Sequence, residues 1–204
     1  MYSLLIDTHD TKVVFVLYKD GNIICKNELE SNMRHSEIAM PSLVAILSDN
    51  NIKPKDLGEI LVNIGPGSFT GVRIGVVIAK TMAYLLNIPI KTINSLEMLL
   101  FSNDSIIPGV YVTEEKNGYF VAEYDSLGKV IDEIKYVDSD DFENVYKDED
   151  VIRDVNLDYE NIYKHMENRD NINPHLVNPL YVKQIEALKW LRDLIQSILM
   201  KYTI

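Results

Sequence analysis

The sequence has one cysteine, one tryptophan and far fewer cations than anions, with 20 Lys and Arg against 31 Asp and Glu. Cys25 alone allows no internal disulfide, and its place in an apolar run suits a buried inert thiol better than a reactive one. A formal net charge of -11 argues against autonomous nucleic-acid binding, because neutralising phosphates needs a basic face. No run approaches the roughly 20 consecutive apolar residues of a membrane span, so no membrane role is expected. The opening MYSLLIDTHD lacks a basic n-region and meets an acid at Asp7. It reads as a first strand and not as a signal peptide, which gives a cytoplasmic expectation. The four histidines show no HExxH spacing, and no metal site is expected.

What is present has a clear order. YSLLID and TKVVFVLYKDGNIICKNELE read as three antiparallel strands, the last two joined through Asp20-Gly21. From Ser36 to Leu47 the apolar period becomes helical, although Pro41 fits only near a first turn or at a kink. Residues 59 to 64 read as a buried strand, 71 to 86 as a helix and 88 to 93 as another strand. This β-β-β-α-β-α-β order implies a mixed sheet with helices packed on it. The texture changes near Asn103 and Pro108, which places a lobe boundary at about residue 102 and gives lobes 1–101 and 102–204. Three further strand-like runs follow, with turns at Asn117-Gly118 and Leu127-Gly128. Residues 138 to 170 hold most of the surplus acids, to be read as a solvated acidic surface or as a docking tail. The end, QIEALKWLRDLIQSILMKY, is amphipathic along Ile185, Leu188, Leu191, Ile195 and Ile198, and suggests burial against a lobe or a partner.

The most distinctive stretch is GPGSFTGVRIG, residues 65 to 75. Its glycine spacing is one residue longer than the dinucleotide fingerprint, and no G-K-[ST] follows. A strand, a Gly-Pro-Gly turn and a helix start still direct backbone N–H groups outward, and Ser68 or Thr70 can cap the helix or meet a phosphate. Gly71, Gly75, Ala79 and Ala83 recur every four residues and form a ridge poor in side chains. Such a ridge admits close helix approach, either within the chain or from a second subunit. In the second reading the interface comprises Gly71, Gly75, Ala79 and Ala83 with Arg73 beside them, and His35, Ile38 and Leu43 from the preceding helix.

LLIDTHDTKVVFVLYKDG, RHSEIAMP, NIGPGSFTGVRIG, INSLEMLL and NPLYVK together resemble the TsaB (YeaZ) family of tRNA threonylcarbamoyladenosine biosynthesis. The resemblance implies a two-lobed α/β fold of the ASKHA type (actin-like, ribonuclease-H-like), with mixed sheets flanked by helices. It also implies a non-catalytic subunit that pairs with a TsaD-like catalytic subunit and works with a TsaE-like ATPase. tRNA is then met only through the complex, and any nucleotide is held at the TsaD interface. Where TsaD-like relatives carry two metal-binding histidines, this sequence has Ser95 and Leu99. The family's usual D-T-S opening ends here in His9. Asp7 and Thr8 stand where an ASKHA ATPase places groups near the nucleotide phosphates, and are the candidate cofactor-binding residues; a turn-forming Asp7 is the alternative. Rival readings are an ASKHA ATPase or glycoprotease-like metalloenzyme, and a homodimeric interaction protein without a tRNA role.

Overall fold

The computed structural model describes residues 1–146, 151–153, 155–183 and 195. The amphipathic segment from Gln184 onward lies outside the described residues except for Ile195. Strands β1 (Tyr2–Asp7), β2 (Lys12–Lys19) and β3 (Asn22–Glu30) form an antiparallel meander, followed by helix α1 (His35–Asp49), strand β4 (Leu57–Asn63), helix α2 (Phe69–Leu86) and strand β5 (Ile90–Ile93). The sheet order is β3-β2-β1-β4-β5, with β4 and β5 parallel to β1. The β2–β3 turn has positive φ at both Asp20 and Gly21, the two-residue geometry that matches the strand twist.

Alternation along β1 divides the core. Leu4 and Ile6 face α1 and α2 with Phe15, Leu17, Ile60 and Val62, against Ala39, Leu43, Ile46, Val76 and Ala79. Leu5 faces the other side with Val14, Val16, Tyr18 and Leu61. Burial on both faces explains why LLID and ILVN read as continuous apolar runs. Pro41 sits in the second turn of an unbroken α1, where the carbonyl left without a helical donor belongs to exposed Glu37.

A short helix α3 (Ser95–Leu100) leads to a second sheet of β6 (Gly109–Glu115), β7 (Gly118–Tyr124), β8 (Lys135–Asp138) and β9 (Val151–Ile152), in the order β8-β7-β6-β9. The β6–β7 loop is Lys116-Asn117, one residue earlier than the sequence suggests. Gly118 already belongs to β7, and a Cβ there would overlap the Val137 carbonyl, so close strand approach is its requirement. Helices α4 (Ser139–Val145) and α5 (Tyr159–Glu167) occupy the acidic stretch. α5 is amphipathic: Tyr159, Ile162, Tyr163 and Met166 are buried, while Asp158, Glu160 and Glu167 face solvent.

α5 and the chain after it return to the first sheet. The Tyr18 and Tyr163 rings lie 4.5 Å apart, and the Tyr18 hydroxyl donates to the Tyr159 carbonyl at 2.9 Å. Ile172 N–H reaches the Ile90 carbonyl and Leu180 N–H the Ile64 carbonyl, at 2.9 and 2.8 Å. The first sheet ends at Ile93 and the second begins at Gly109, but the first sheet's rear face is completed by residues of the later part of the chain.

Among the described residues, α2 alone is long and apolar enough, by length and composition, to cross a membrane. It comes closer to a spanning run than the sequence reading allows. Its small-residue side is spent against the first sheet, and its other side carries Arg73 and Lys80.

Candidate functional site

The loop between β1 and β2 holds the N-terminal ends of both large helices. The Thr8 hydroxyl donates to the Gly71 carbonyl at 2.7 Å and accepts from Gly75 N–H at 3.1 Å. The His9 carbonyl accepts from Ser68 N–H at 2.6 Å, immediately before α2. The Asp10 carbonyl lies 2.7 Å from His35 Nε2 in the first turn of α1. Ser31 N–H, at the end of β3, donates to the Thr11 carbonyl at 2.8 Å.

This arrangement answers the question of the glycine ridge and corrects one expectation. A Cβ at Gly71 would overlap the Thr8 carbonyl, and one at Gly75 the Thr8 hydroxyl. Gly71 and Gly75 are buried, and Ala79 and Ala83 are at most 1 % exposed. At Gly71 and Gly75 the ridge is therefore filled by this chain's own β1 and β1–β2 loop, and with Ala79 and Ala83 also buried in the core a second subunit has no access to those four positions. His35 and Leu43 are buried as well, and Ile38 is half-buried against the same core. Arg73 alone of the proposed interface residues is exposed. It forms no ion pair among the described residues; its guanidinium lies 3.5 Å from the Phe69 ring centroid, and its Nε donates to the Tyr181 hydroxyl at 2.7 Å.

The candidate cofactor-binding residues do not fit that role here. Thr8 is fully buried, with its hydroxyl proton and a lone pair committed to α2. Asp7 is 3 % exposed, and its Oδ1 accepts from His9 N–H and lies 2.7 Å from His9 Nδ1. Burial alone would raise the Asp7 pKa, but the charge and hydrogen bonds of His9 hold it below the ordinary carboxylate value. Burial alone would lower His9, yet the Asp7 charge and hydrogen bond, with Asp10, raise it. The sequence reading has His9 as a surface or hydrogen-bonded structural group in the loop after Asp7, without naming its partner. Its signal was an imidazole two positions from an acid at a strand end, a spacing that lets a turn fold one onto the other.

The glycine loop is likewise engaged by its own chain. Gly65 N–H donates to Asn63 Oδ1 at 2.8 Å, and the Ser95 hydroxyl donates to the Pro66 carbonyl at 2.6 Å. Ser68 Oγ accepts from Gly71 N–H at 3.2 Å and caps α2. Of the outward N–H groups that favoured a phosphate, those of Ser68 and Gly71 already have acceptors. Ser95 and Leu99, at the positions of the expected histidines, are buried. Among the described residues no three His, Cys, Asp or Glu side chains converge as a metal site. Beside the loop lies a mainly apolar cleft of about 290 Å³, walled by Pro66, Phe69, Val72, Phe120 and residues 179–183, with Glu115 and Lys183 in its lining.

A buried charge pair joins β4 to β5. Glu59 Oε2 and Lys91 Nζ stand 3.1 Å apart, both under 10 % exposed, and Glu59 Oε1 accepts from Ser3 and from Tyr163 at 2.8 and 2.6 Å. Arg169 bonds both oxygens of Glu97 at 2.9 and 2.5 Å, and the Thr92 carbonyl at 2.8 Å. These contacts join α5 and the residues after it to β4, β5 and α3.

The side of α1 and α2 turned away from the sheet is open and apolar. Met40 and Val44 on α1 are 50 and 59 % exposed; Val77 and Leu85 on α2 are 60 and 72 % exposed. The two helices touch. A contiguous exposed apolar patch is a candidate interaction site, whereas single exposed apolar side chains are ordinary.

Sheet order, connectivity and the two-sided helical cover define a mixed α/β protein with two mixed sheets flanked by helices. In three dimensions the chain is similar to a Pseudomonas aeruginosa protein described as an uncharacterized protein with similarity to peptidase YEAZ. The TM-score is 0.71 at 13 % identity, over 89 % of this chain and 99 % of that one. A family model described as TsaD, tRNA N6-adenosine threonylcarbamoyltransferase, matches residues 28–170. The chain belongs to that family. It is 42 % identical over 99 residues to the tRNA threonylcarbamoyladenosine biosynthesis protein TsaB of Bacillus subtilis (strain 168), covering 48 % of this chain and 43 % of that one. To TsaB of Escherichia coli (strain K12) it is 32 % identical over 96 residues, covering 47 and 41 %. The chain thus spans less than half the length of these two curated relatives.

Proposed function

We propose that the chain is a non-catalytic subunit in tRNA threonylcarbamoyladenosine synthesis, acting by pairing with a TsaD-type transferase. The observation that carries this reading is the 42 % identity to the Bacillus subtilis TsaB protein. Its geometry is supported by the exposed stripe of Met40, Val44, Val77 and Leu85, an apolar helical face suited to another helix pair. The non-catalytic role is supported by what the polar groups at the end of β1 already do: Asp7 binds His9, and Thr8 binds α2. A TsaE-type ATPase completes the assembly, tRNA is reached through the complex, and a nucleotide, where one is held, lies between subunits and not on Asp7 and Thr8. In the free protein the same face closes on a second copy as a homodimer, and the setting is cytoplasmic.

The test is reconstitution. The purified chain is mixed with the TsaD-type protein of the same cell, a TsaE-type ATPase, tRNA and a threonylcarbamoyl donor, and the modified nucleoside is measured by mass spectrometry. Modification should require the chain and should fail with Val77→Glu. Equal modification with and without the chain would overturn the proposal, as would turnover by the chain alone.

A further inference from the structure

The β1–β2 loop is a hub: within four consecutive residues its backbone and hydroxyl groups hold α2 (Thr8, His9), α1 (Asp10) and the end of β3 (Thr11). A single side-chain pair, Asp7 with His9, braces that hub from within. Asp7 is buried at the end of β1, and the His9 side chain is 18 % exposed, so protons exchange with solvent while the carboxylate stays sheltered. His9 also supplies the carbonyl that holds Ser68 N–H at the entrance to α2. We propose that the Asp7–His9 pair is a proton-controlled brace that fixes how the N-terminal ends of α1 and α2 sit on the first sheet, tight when His9 is charged and loosened when it is neutral.

Among the described residues, few charged groups act on His9. Asp7 and Asp10 come from its own loop, and both favour its charged form. α1 contributes His35, bound to the Asp10 carbonyl. The first turns of α2 contribute only Arg73, which turns away to Phe69 and Tyr181. The glycine loop from Gly65 to Ser68 has no charged residue. Neutral His9 can still donate a hydrogen bond from Nδ1, but Asp7 is then a buried anion without a counter-charge. Since His9 is raised in the fold, the stabilisation is complete below its ordinary value of 6.5 and is lost as pH rises through the folded value. Asp7 is lowered, so its share is present above 3.8 and lost only at lower pH. The brace is therefore tightest in weak acid and loosens on the alkaline side of neutrality. This inference concerns the chain alone and does not rest on the partner reading.

The experiment uses the full chain and its His9→Asn variant, in which an amide hydrogen bond to Asp7 can persist but nothing titrates. The His9 pKa is read by NMR, and hydrogen exchange at the Ser68 and Gly75 amides is followed from pH 5.5 to 9 after correction for intrinsic rates. The wild-type His9 should titrate above 6.5. Protection at both amides should fall as it does so, by up to about ten-fold for each unit of elevation. In His9→Asn the same amides should show no pH-dependent step. A wild-type His9 titrating at or below 6.5 would overturn the proposal, and so would flat protection or an identical step in the variant. If His9→Asn fails to fold, the wild-type titration and exchange profile decide the matter alone.

Discussion

Replacing Gly75 with Ala adds one methyl group at the closest approach between α2 and β1. On a solvent-facing helical site this change stabilises by about 0.8–1.0 kcal/mol, since Ala is the better helix former. At Gly75 the methyl would overlap the Thr8 hydroxyl and meet Ile6 Cγ2 at 3.6 Å. Thr8 must swing aside and lose its bonds to Gly71 and Gly75, at 2.7 and 3.1 Å. With about 1 kcal/mol per hydrogen bond and about 1–3 kcal/mol for overpacking, less the gain in propensity, the net loss is about 2–4 kcal/mol. At about 2–4 °C per kcal/mol for a chain of this size, scanning calorimetry should show Tm falling by about 4–16 °C. The decisive control is the same substitution in a Thr8→Ala background. There the added methyl has room, and Gly75→Ala should be neutral or stabilising by up to about 1 kcal/mol. A Gly75→Ala protein melting at or above wild type in the presence of Thr8 would refute the inward-packed ridge. Unchanged melting with weakened association would restore the interface reading.

Other outcomes follow from the same contacts. Lys91→Met leaves Glu59 buried without a counter-charge and should cost about 3–5 kcal/mol at pH 7, read from the urea midpoint. Burial works to raise Glu59, but bonds from Tyr163, Ser3 and Lys91 bring it below its ordinary 4.5, so its stabilising share is present above that value and lost as pH falls through the folded one. In Lys91→Met the folded-state pKa of Glu59 should rise, so the stability deficit against wild type should shrink as pH falls and Glu59 is protonated, and a deficit that grows on acidification would contradict the assigned network. Val77→Glu, on the open face of α2, should change stability by no more than about 0.5 kcal/mol while abolishing capture of a TsaD-type partner in a pull-down; retained capture would exclude this face. Arg169→Lys loses the two-pronged grip on Glu97 and should cost at least about 1.5 kcal/mol in denaturant titration, whereas a silent change would show that the chain after α5 is held by other contacts.

The first half of the fold is legible because its signals are local. Alternation in KVVFVLYK, the Asp20-Gly21 turn and the change of period at Ser36 each depend on near neighbours, and the structure moves their boundaries only by a few residues. The small-residue ridge is equally legible as a ridge. What fills it is not, because the Thr8 hydroxyl and carbonyl arrive from more than sixty residues away in sequence. Glu59 carried a partial signal: a lone acid at the edge of an apolar strand must find a partner, but nothing local names Lys91 or Tyr163. α5 was hidden by its acids, which occupy its solvent side, while Tyr159, Ile162, Tyr163 and Met166 recur at helical spacing beneath them.

The hydrogen bond from Tyr18 to Tyr159 spans 141 positions of the chain. A ribosome adding about 5–20 residues per second takes roughly 7 to 28 s to cover that distance. The first sheet itself is complete only once Ile93 is made, so for the last 66 of those positions, roughly 3 to 13 s, it exists with Tyr18 lacking its partners Tyr159 and Tyr163 and with the outer edge of β5 unpaired, since Ile172 has yet to be made. The nascent polypeptide is therefore sticky while its first half waits for its last, and a ribosome stalled between residues 100 and 158 should leave a product that binds chaperones or aggregates.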